Sequence, residues 1–240
     1  MRYGPLAMKS IVVIPTYNER DNLETLVEQI EKHAPDLHVM IVDDNSPDGT
    51  GTTAESLREK CSSTLFVVHR EQKQGLGPAY VDGFKRAIKM GYDVILQMDA
   101  DLSHDPGSLP AFLEQIRDCD LAIGSRYVNG ISVVNWDFKR LLLSRLATRY
   151  IQVITGMPFS DATGGYNCWR RQTLEAIGFD DVFSNGYLFL AELKYKAYRM
   201  KFKVTEVPIV FTERNLGNSK MNWRIIWEAI RGVPRMRLKY

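Results

Sequence analysis

The sequence predicts an α/β fold in which a mixed, mostly parallel sheet is flanked by helices. Two observations predict it: short apolar runs alternate with amphipathic stretches over residues 10–125, and polar clusters follow the apolar runs. This alternation is typical of βαβ units, whose strands pair in parallel. The chain has 240 residues, of which 45% are hydrophobic, so one large domain can bury a core.

The first predicted unit is a strand at residues 10–14, a helix, and a second strand at residues 38–42. Pro15 ends the first strand, and Asn18 is predicted to cap the helix. Apolar residues in this helix recur at i, i+3, i+4 and i+7, which places them on one face. They are Leu23, Leu26, Val27 and Ile30.

Three more strands, separated by helices, complete the alternation. The strands are predicted at residues 65–69, 94–98 and 121–124, and the helices at residues 52–60, at residues 78–89 and from about Pro106 onwards. Ligands of such sheets bind at the carboxyl ends of the strands, which is where the polar clusters stand.

Beyond Arg126 the alternation stops and the chain becomes basic. Helices are predicted at residues 138–154, 187–198 and 222–231, and a strand at residues 204–211. Residues 1–120 hold 12 Lys and Arg against 20 Asp and Glu, whereas residues 121–240 hold 19 against 9. An acidic half suits a cation and a basic half suits phosphates or an anionic bilayer, although ordinary solvated charge would give the same counts.

Cysteine usage and missing motifs exclude several classes of protein. The three cysteines form no C-x-x-C pair, which fits a reducing cytoplasm and neither a zinc site nor a disulfide framework. Neither a signal peptide nor an apolar run of about 18 residues is found, so no transmembrane helix is expected. Walker A, G-x-S-x-G and strand-following G-x-G-x-x-G sequences are missing, as are aromatic RNA-reading motifs, so no nucleic acid is expected as a partner.

Two carboxylates, Asp99 and Asp101, follow the fourth predicted strand. Acids spaced i, i+2 at the end of a strand project to the same side. So close a pair of anions favours a cation between them, and oxygen ligands suit Mg²⁺ or Mn²⁺. A solvated turn with an Asp cap is the plainer interpretation of the same pattern.

Polar residues also follow the first two strands. The segment V-D-D-N-S-P-D-G at residues 42–49 carries acids that could bind a base or ribose, or simply form a turn. In P-T-Y-N-E at residues 15–19, Tyr17 could stack on a base or serve only at the helix entry.

Longer motifs join these segments. They are V-D-D-N-S-P-D-G-T at residues 42–50, D-A-D-L-S-H at 99–104, G-S-R-Y at 124–127 and F-x-x-R-x-x-G-x-S-K at 211–220. Together with P-T-Y-N-E, they resemble the dolichyl- and polyprenyl-phosphate mannosyltransferases, which are inverting enzymes of glycosyltransferase family 2. The resemblance covers about residues 9–222 and implies the GT-A, Rossmann-like fold.

The resemblance implies a role for each matching residue. The nucleotide-sugar would be held by Pro15, Tyr17, Glu19, Val42, Asp44, Asp99, Ala100, Arg214 and Lys220. The metal, Mg²⁺ or Mn²⁺, would be lined by Asp99, Asp101 and Ser103, although some relatives present Gln at the last position. The acceptor phosphate would meet Arg126, Ser219 and Lys220, the catalytic residues would be Asp99, Asp101 and Arg126, and the loop 215–219 would close over the site. Asn167 departs from the family, because related chains carry arginine there.

The implied reaction moves one sugar, first of all mannose from GDP-mannose, to a polyprenyl or dolichyl phosphate and gives a β-linked product. Such a phosphate is already anionic at pH 7, so its oxygen needs no general base. UDP-glucose as donor, or a soluble glycan as acceptor, remains an alternative. Within one domain, residues 9–127 would bind the nucleotide-sugar and metal, and residues 128–240 would meet the acceptor and the membrane interface.

The lipid tail of the acceptor implies contact with a membrane surface, on its cytoplasmic face. The predicted helix 222–231 carries Trp223, Ile226, Trp227 and Ile230 at helical spacing among basic residues, and residues 138–154 have a similar character. Trp and basic side chains favour the headgroup region. Packing of the same amphipathic helices on the core is the alternative.

Overall fold

Runs rich in Val and Ile form four parallel strands in the first half of the chain. They are β1 (Ser10–Thr16), β2 (His38–Asp43), β3 (Leu65–His69) and β4 (Val94–Gln97). β1 pairs with both β2 and β4, and β2 pairs with β3. All these strands therefore end at one edge of the sheet, as predicted. The computed structural model describes residues 8–61, 63–184, 186–212 and 223–240, without the side chains of residues 187 and 223–229.

The second half adds three strands, one of which runs against the others. They are β5 (Leu121–Ser125), β7 (Asn167–Arg170) and β8 (Val204–Pro208). β7 is antiparallel to both β4 and β5, and β8 is parallel to β5. The sheet order is β3-β2-β1-β4-β7-β5-β8, which confirms a mixed, mostly parallel sheet. A separate pair joins β6 (Val133–Val134) to β9 (Phe211–Thr212).

Helices cover both faces of the sheet. They are α1 (Arg20–His33), α2 (Thr50–Lys60), α3 (Leu76–Lys89), α4 (Leu109–Gln115), α5 (Phe138–Thr155), α6 (Arg171–Ile177), α7 (Tyr187–Arg199) and α8 (Trp223–Lys239), with a 3₁₀ turn Pro106–Ser108 before α4. Alternate residues of each buried strand face opposite cores: Val12 packs with α1 residues such as Leu23, whereas Val13 packs with Phe84 of α3. Among the described residues, no helix is both long and apolar enough to cross a bilayer.

The start of α1 differs from the prediction. Asn18 does not cap the helix: its φ is 60°, in the left-handed region, and its backbone N–H donates to Ser46 Oγ at 3.1 Å. The helix begins at Arg20 with Glu19 in the capping position and no capping bond from its side chain. Asn tolerates this conformation better than most residues, so it turns the chain out of β1 instead.

Two C-terminal elements also differ from prediction. The strand predicted at residues 204–211 is divided: β8 ends at Pro208 and pairs with β5, whereas β9 pairs with β6. Helix α8 continues beyond the predicted end, residue 231, to Lys239 with Pro234 inside it. Tertiary packing accounts for this extension, since Val233 and Met236 are fully buried.

Candidate active site

The carboxylates of Asp99 and Asp101 lie at the carboxyl edge of the sheet, in the bend that follows β4. The predicted strand is one residue too long: β4 ends at Gln97, so both acids are placed by a loop and not by the pleat. Oδ1 of Asp101 accepts the backbone N–H of Ser103 at 3.0 Å and its hydroxyl at 2.5 Å. Leu102 between them has φ of 61°, which turns Ser103 back toward Asp101. Ser103 therefore orients the acid.

Asp99 is oriented by a buried histidine. Its backbone N–H donates to Nδ1 of His104 at 3.0 Å, and Nε2 of the same ring lies 4.0 Å from Asp99 Oδ2. Burial lowers the pKa of His104, although Asp99 and Asp101 act in the opposite direction. We therefore assign a neutral ring with its proton on Nε2. The hydroxyl of Tyr80, from α3, lies 3.4 Å from Asp99 Oδ1.

The donor set at this edge fits a hard divalent cation that is shared with a ligand. In the described part of the chain, no group of three or more His, Cys, Asp or Glu side chains is arranged to hold a metal. Two carboxylates, one of them 30% exposed at Asp99, supply oxygen ligands of the type that Mg²⁺ and Mn²⁺ accept together with diphosphate oxygens and water. The hydroxyl of Ser103 already donates to Asp101.

The carboxylate of Asp44 binds the loop 70–75. Arg70 donates to Oδ1 from Nη1 at 2.5 Å, and the backbone N–H groups of Gln74 and Gly75 donate to Oδ2 at 3.0 Å each. Asp44 and Arg70 are both nearly buried. This loop was not predicted as part of the site, although R-E-Q-K-Q-G immediately follows β3.

The same loop covers the ring of Tyr17. The ammonium of Lys73 lies 3.4 Å from the ring centroid and so covers one face of the ring that was predicted to stack on a base. Glu19, also predicted here, is almost buried and accepts the side-chain N–H of Asn22 at 2.9 Å. Its own backbone N–H donates to the Thr50 hydroxyl at 3.0 Å. Lys73 would have to leave this face of Tyr17 before a base could stack on it.

Three of the residues predicted to bind the nucleotide would do so through the backbone that they place at the sheet edge more than through their side chains. Pro15 and Val42 stand side by side in the register of β1 and β2, near the carboxyl ends of both strands. Val42 is fully buried and Ala100 is 3% exposed. These three residues mark the carboxyl ends of β1, β2 and β4, whose backbones meet at one edge of the sheet.

Arg126 forms a buried, bidentate pair with Asp161. Its Nε donates to Oδ2 at 2.6 Å and its Nη2 to Oδ1 at 2.7 Å, and its backbone N–H adds a third bond at 3.2 Å. Burial alone would raise the pKa of Asp161, but the charge of Arg126, with help from Lys194, lowers this pKa to about 2. Asp161 was not predicted as a site residue. It therefore fixes the orientation of the predicted phosphate-binding arginine.

Two further arginines gather beside Arg126 at the start of α5. The guanidinium of Arg126 lies 5.3 Å from the ring centroids of both Tyr127 and Trp136. Arg140 lies 4.4 Å from the Trp136 ring, and Arg145 lies 4.8 Å from the Tyr127 ring. Neither was predicted as a site residue; the available signal was their place on the first helix after G-S-R-Y.

The segment that leads into β7 enters the site between these groups. A Cβ atom on Gly165 would lie 3.5 Å from both carboxylate oxygens of Asp99, an ordinary contact distance, so the backbone of this segment runs beside the acid. Asn167, where relatives carry arginine, is fully buried in β7 and donates to Gln97 Oε1 at 3.1 Å. It is a residue of the sheet interior in this chain.

Several predicted site residues lie outside the described part of the chain. They are Arg214, Ser219 and Lys220, with the whole loop 215–219. The side chains of Trp223 and Trp227 are likewise outside it.

Comparisons with known proteins agree on one family. The sequence profile described as glycosyl transferase family 2 matches residues 11–178. The chain is 45% identical, over 92% of its length and 84% of the relative, to polyprenol monophosphomannose synthase of Mycolicibacterium smegmatis. It is 42% identical to undecaprenyl-phosphate mannosyltransferase of Micrococcus luteus, over 95% of this chain and 93% of that one.

A solved structure shows the same fold. It is that of a mannosyltransferase from Pyrobaculum calidifontis in complex with GDP-Man and Mn²⁺. The TM-score is 0.67 at 18% identity, over 96% of this chain and 65% of that one. This likeness confirms the fold implied by the sequence.

Proposed function

This chain belongs to glycosyl transferase family 2, and we propose that it transfers mannose from GDP-mannose to a polyprenyl or dolichyl phosphate. The observation that carries the proposal is the pair Asp99 and Asp101, both oriented by residues of the loop that follows β4, at the sheet edge where Arg126 also lies. The relatives at 42% and 45% identity, both named for mannose and polyprenol chemistry, support the choice of donor sugar and acceptor.

Asp99 and Asp101 would hold the divalent ion, Mg²⁺ or Mn²⁺. When bound, such an ion stabilises the negative charge that develops on a leaving nucleoside diphosphate. Ser103 would contribute by fixing Oδ1 of Asp101 through the hydrogen bond that its hydroxyl donates. His104 would anchor the backbone of Asp99 through Nδ1 and hold its ring beside the carboxylate.

The nucleoside of the donor would lie over the ends of β1 and β2. Tyr17 would stack on the base once Lys73 withdraws, and that ammonium would then be available to the donor phosphates. Asp44 would act with Pro15, Glu19, Val42 and Ala100 around the nucleoside, and it also holds the loop 70–75 in place. Arg214 and Lys220 would add positive charge from beyond Thr212.

The acceptor phosphate would bind at the arginine cluster formed by Arg126, Arg140 and Arg145. Guanidinium groups bind phosphate bidentately, and Asp161 holds Arg126 in one orientation. The phosphate oxygen is ionised at pH 7, so it can attack the anomeric carbon without a protein base. In-line attack inverts that carbon and gives a β-linked product from an α-linked donor. Ser219 and Lys220 would close the acceptor site.

Helix α5 would place this cluster at the surface of a membrane. Its apolar residues at i, i+4, i+8 and i+15 form one stripe, and all are well exposed. They are Phe138 at 76%, Leu142 at 48%, Leu146 at 57% and Val153 at 68%. Because the arginine cluster stands at the start of the same helix, a lipid tail could leave the phosphate directly into the bilayer. The protein would then be peripheral, on the cytoplasmic face, with α8 as a second amphipathic contact.

The test is a transfer assay with purified protein, undecaprenyl phosphate in detergent, and either Mg²⁺ or Mn²⁺. Radiolabelled GDP-mannose, UDP-glucose and UDP-GlcNAc are compared, with Asp101→Asn as the inactive variant and Asp118→Asn, an exposed acid after α4, as the matched control. We expect lipid-extractable label from GDP-mannose alone, lost in Asp101→Asn and kept in Asp118→Asn. NMR of the product should show a β linkage, and an α linkage would contradict the in-line displacement.

Two alternative outcomes correspond to the alternatives left by the sequence. Label from UDP-glucose would identify a polyprenyl-phosphate glucosyltransferase. Label that stays in the aqueous phase on an added oligosaccharide would identify a family member with a soluble glycan acceptor.

A further inference from the structure

Lys194 is a buried cation that the proposed reaction does not use. It lies on α7 and is fully buried. Its ammonium donates to three backbone carbonyls of one segment, those of Gly164 at 2.8 Å, Asp161 at 3.2 Å and Ala162 at 3.5 Å. A buried ammonium is costly unless its protons are bonded, so this arrangement holds the segment tightly to α7.

The same segment is also held by a carboxylate. Glu206 of β8 accepts the backbone N–H of Ser160 at 2.9 Å, the Ser160 hydroxyl at 2.7 Å and the backbone N–H of Asp161 at 3.2 Å. A cation thus binds carbonyls of the 160–165 segment and an anion binds its N–H groups. The backbone of the segment is therefore fixed through both its carbonyl and its N–H groups.

The 160–165 segment contacts both parts of the site. Asp161 fixes Arg126 through two side-chain bonds, and Gly165 lies next to the carboxylate of Asp99, which would be in van der Waals contact with a Cβ atom at this position. Asp161 Oδ1 also accepts the N–H of Gly164 at 3.0 Å, which couples the two ends. Any movement of the segment would change the distance between the acceptor arginine and the metal-binding acid.

We propose that Lys194 is a positioning residue, which clamps the 160–165 segment and thereby sets the placement of Arg126 relative to Asp99. The identity of the substrates rests on the proposed function, but the clamp itself does not. Misplacement of reacting groups by about 1 Å can cost about a hundredfold in rate, so a backbone clamp of this kind affects turnover without touching substrate.

The ionisation of Lys194 agrees with this role. Burial lowers its pKa to about 8, while Asp161 raises it, Arg126 lowers it and Glu206 raises it. Those three are the charged groups that act on it from the neighbouring loops and β8. At neutral pH the ammonium is charged, and above about pH 8 the clamp weakens.

The variants are Lys194→Met, which removes the charge and its donors, and Lys194→Arg, which keeps both. Lys196→Met is the matched control: Lys196 lies on the same helix and donates to the carbonyls of Gly178 and Asp181, away from the site. Glu206→Gln weakens the clamp from the opposite side and serves if Lys194→Met fails to fold.

We expect Lys194→Met to lower kcat/KM for polyprenyl phosphate by about tenfold or more, with at most about a twofold change in KM for the donor. Lys194→Arg should recover most of this loss and move the alkaline fall of activity from about pH 8 to higher pH. Lys196→Met should leave kcat/KM for polyprenyl phosphate and KM for the donor near their wild-type values. The two Lys→Met variants are compared at temperatures equally far below their Tm. Equal acceptor kcat/KM in the two Lys→Met variants, or an unchanged alkaline fall in Lys194→Arg, overturns the proposal.

A binding measurement separates this inference from the proposed function. Farnesyl phosphate is titrated into each variant by calorimetry, without donor. If the wild type transfers no sugar but binds this probe, and Lys194→Met binds it about tenfold more weakly than Lys196→Met, the proposed function fails and the clamp stands. If the wild type transfers sugar and both variants bind the probe equally, the clamp fails and the function stands. A wild type that neither transfers sugar nor binds the probe overturns both.

Discussion

The backbone N–H of Asp99 donates to Nδ1 of His104, and the opposite ring nitrogen faces the carboxylate of the same aspartate. The ring is fully enclosed and stacks on Tyr166 with centroids 4.8 Å apart. One residue thus anchors the backbone of the acid and places its ring beside the carboxylate, and the bond to the backbone requires an unprotonated Nδ1. The protonation state of His104 is therefore part of the site.

Stability should fall in mild acid because of His104. Its pKa in the folded protein is below 6.5, its ordinary value, so the unfolded chain binds a proton more readily. The contribution of the neutral ring is complete above about pH 6.5 and is lost as pH falls toward the lowered folded value. Urea unfolding of wild type and His104→Asn at pH 7.5 and 5.5 measures this change in the free energy of unfolding. The wild type should lose more stability than the variant between these pH values; equal losses would contradict the assignment.

Ser103 should affect metal binding through Asp101. Ser103→Ala removes the 2.5 Å hydroxyl bond to Oδ1 but leaves the backbone bond at 3.0 Å. We expect Mn²⁺ in the presence of GDP to bind about 10- to 100-fold more weakly, as for other partners that orient a metal ligand. Calorimetry provides the measurement, and Ser56→Ala, an exposed helical serine, is the control. Loss of all binding in Ser103→Ala would instead make Ser103 a direct ligand.

The Arg126–Asp161 pair should dominate acid stability. Removing one partner of a buried pair costs about 3–5 kcal/mol, so Asp161→Asn should lower the free energy of unfolding by about that amount at pH 7. The pKa of Asp161 is about 2 in the folded protein, below its ordinary 3.8. The stability that ionised Asp161 contributes is thus present above about pH 3.8 and is lost as the pH falls from there to about 2.

Chemical unfolding at pH 7 and pH 3 tests this prediction. The difference in stability between wild type and Asp161→Asn should narrow at the lower pH. Asp180→Asn, which breaks an exposed pair with Lys85, should cost less than about 1 kcal/mol. Similar losses for the two variants would contradict a special role for the buried pair.

The exposed stripe on α5 should bind membranes. Leu142→Ser with Leu146→Ser removes two half-exposed apolar side chains, which should weaken binding to vesicles by about tenfold or more. Co-sedimentation with vesicles that contain anionic lipid gives the bound fraction. Met200→Ser is the control, because Met200 is 51% exposed at the end of α7. If the stripe variant sediments as wild type does, α5 has another partner.

The alternation of strands and helices could be predicted because each element of the first half is local. Leu23 and Ile30 mark the buried face of α1 by spacing alone, and Asp99 and Asp101 follow a recognisable strand. The second half depends on contacts that spacing does not encode. β7 has only four residues, and Asn167 at its start is polar yet fully buried in pairing with Gln97.

Pairs of residues that lie far apart in the chain could not be predicted from the sequence either. Asp161 lies 35 residues from Arg126, and no local pattern joins them. Likewise, Gly232 and Pro234 are typical of a helix end, but α8 continues because a bare backbone at Gly232 lets it pack against Leu188 of α7. The structural role of such residues is set by the element against which they pack, and the sequence alone does not show which element that is.

The reversed strand β7 has a consequence for the order in which the sheet assembles. Among the described strands, β5 and β8 reach the first four only through β7, whose partners on either side are β4 and β5. During synthesis, the buried strand β4 therefore keeps an open edge until about 70 more residues have been made, and open edges invite pairing with other chains. Closing so long a loop is slow. A chain interrupted before Asn167 would have four paired strands, an unpaired β5 and an open edge at β4, so this short strand is expected to affect aggregation during synthesis as well as the geometry of the finished sheet.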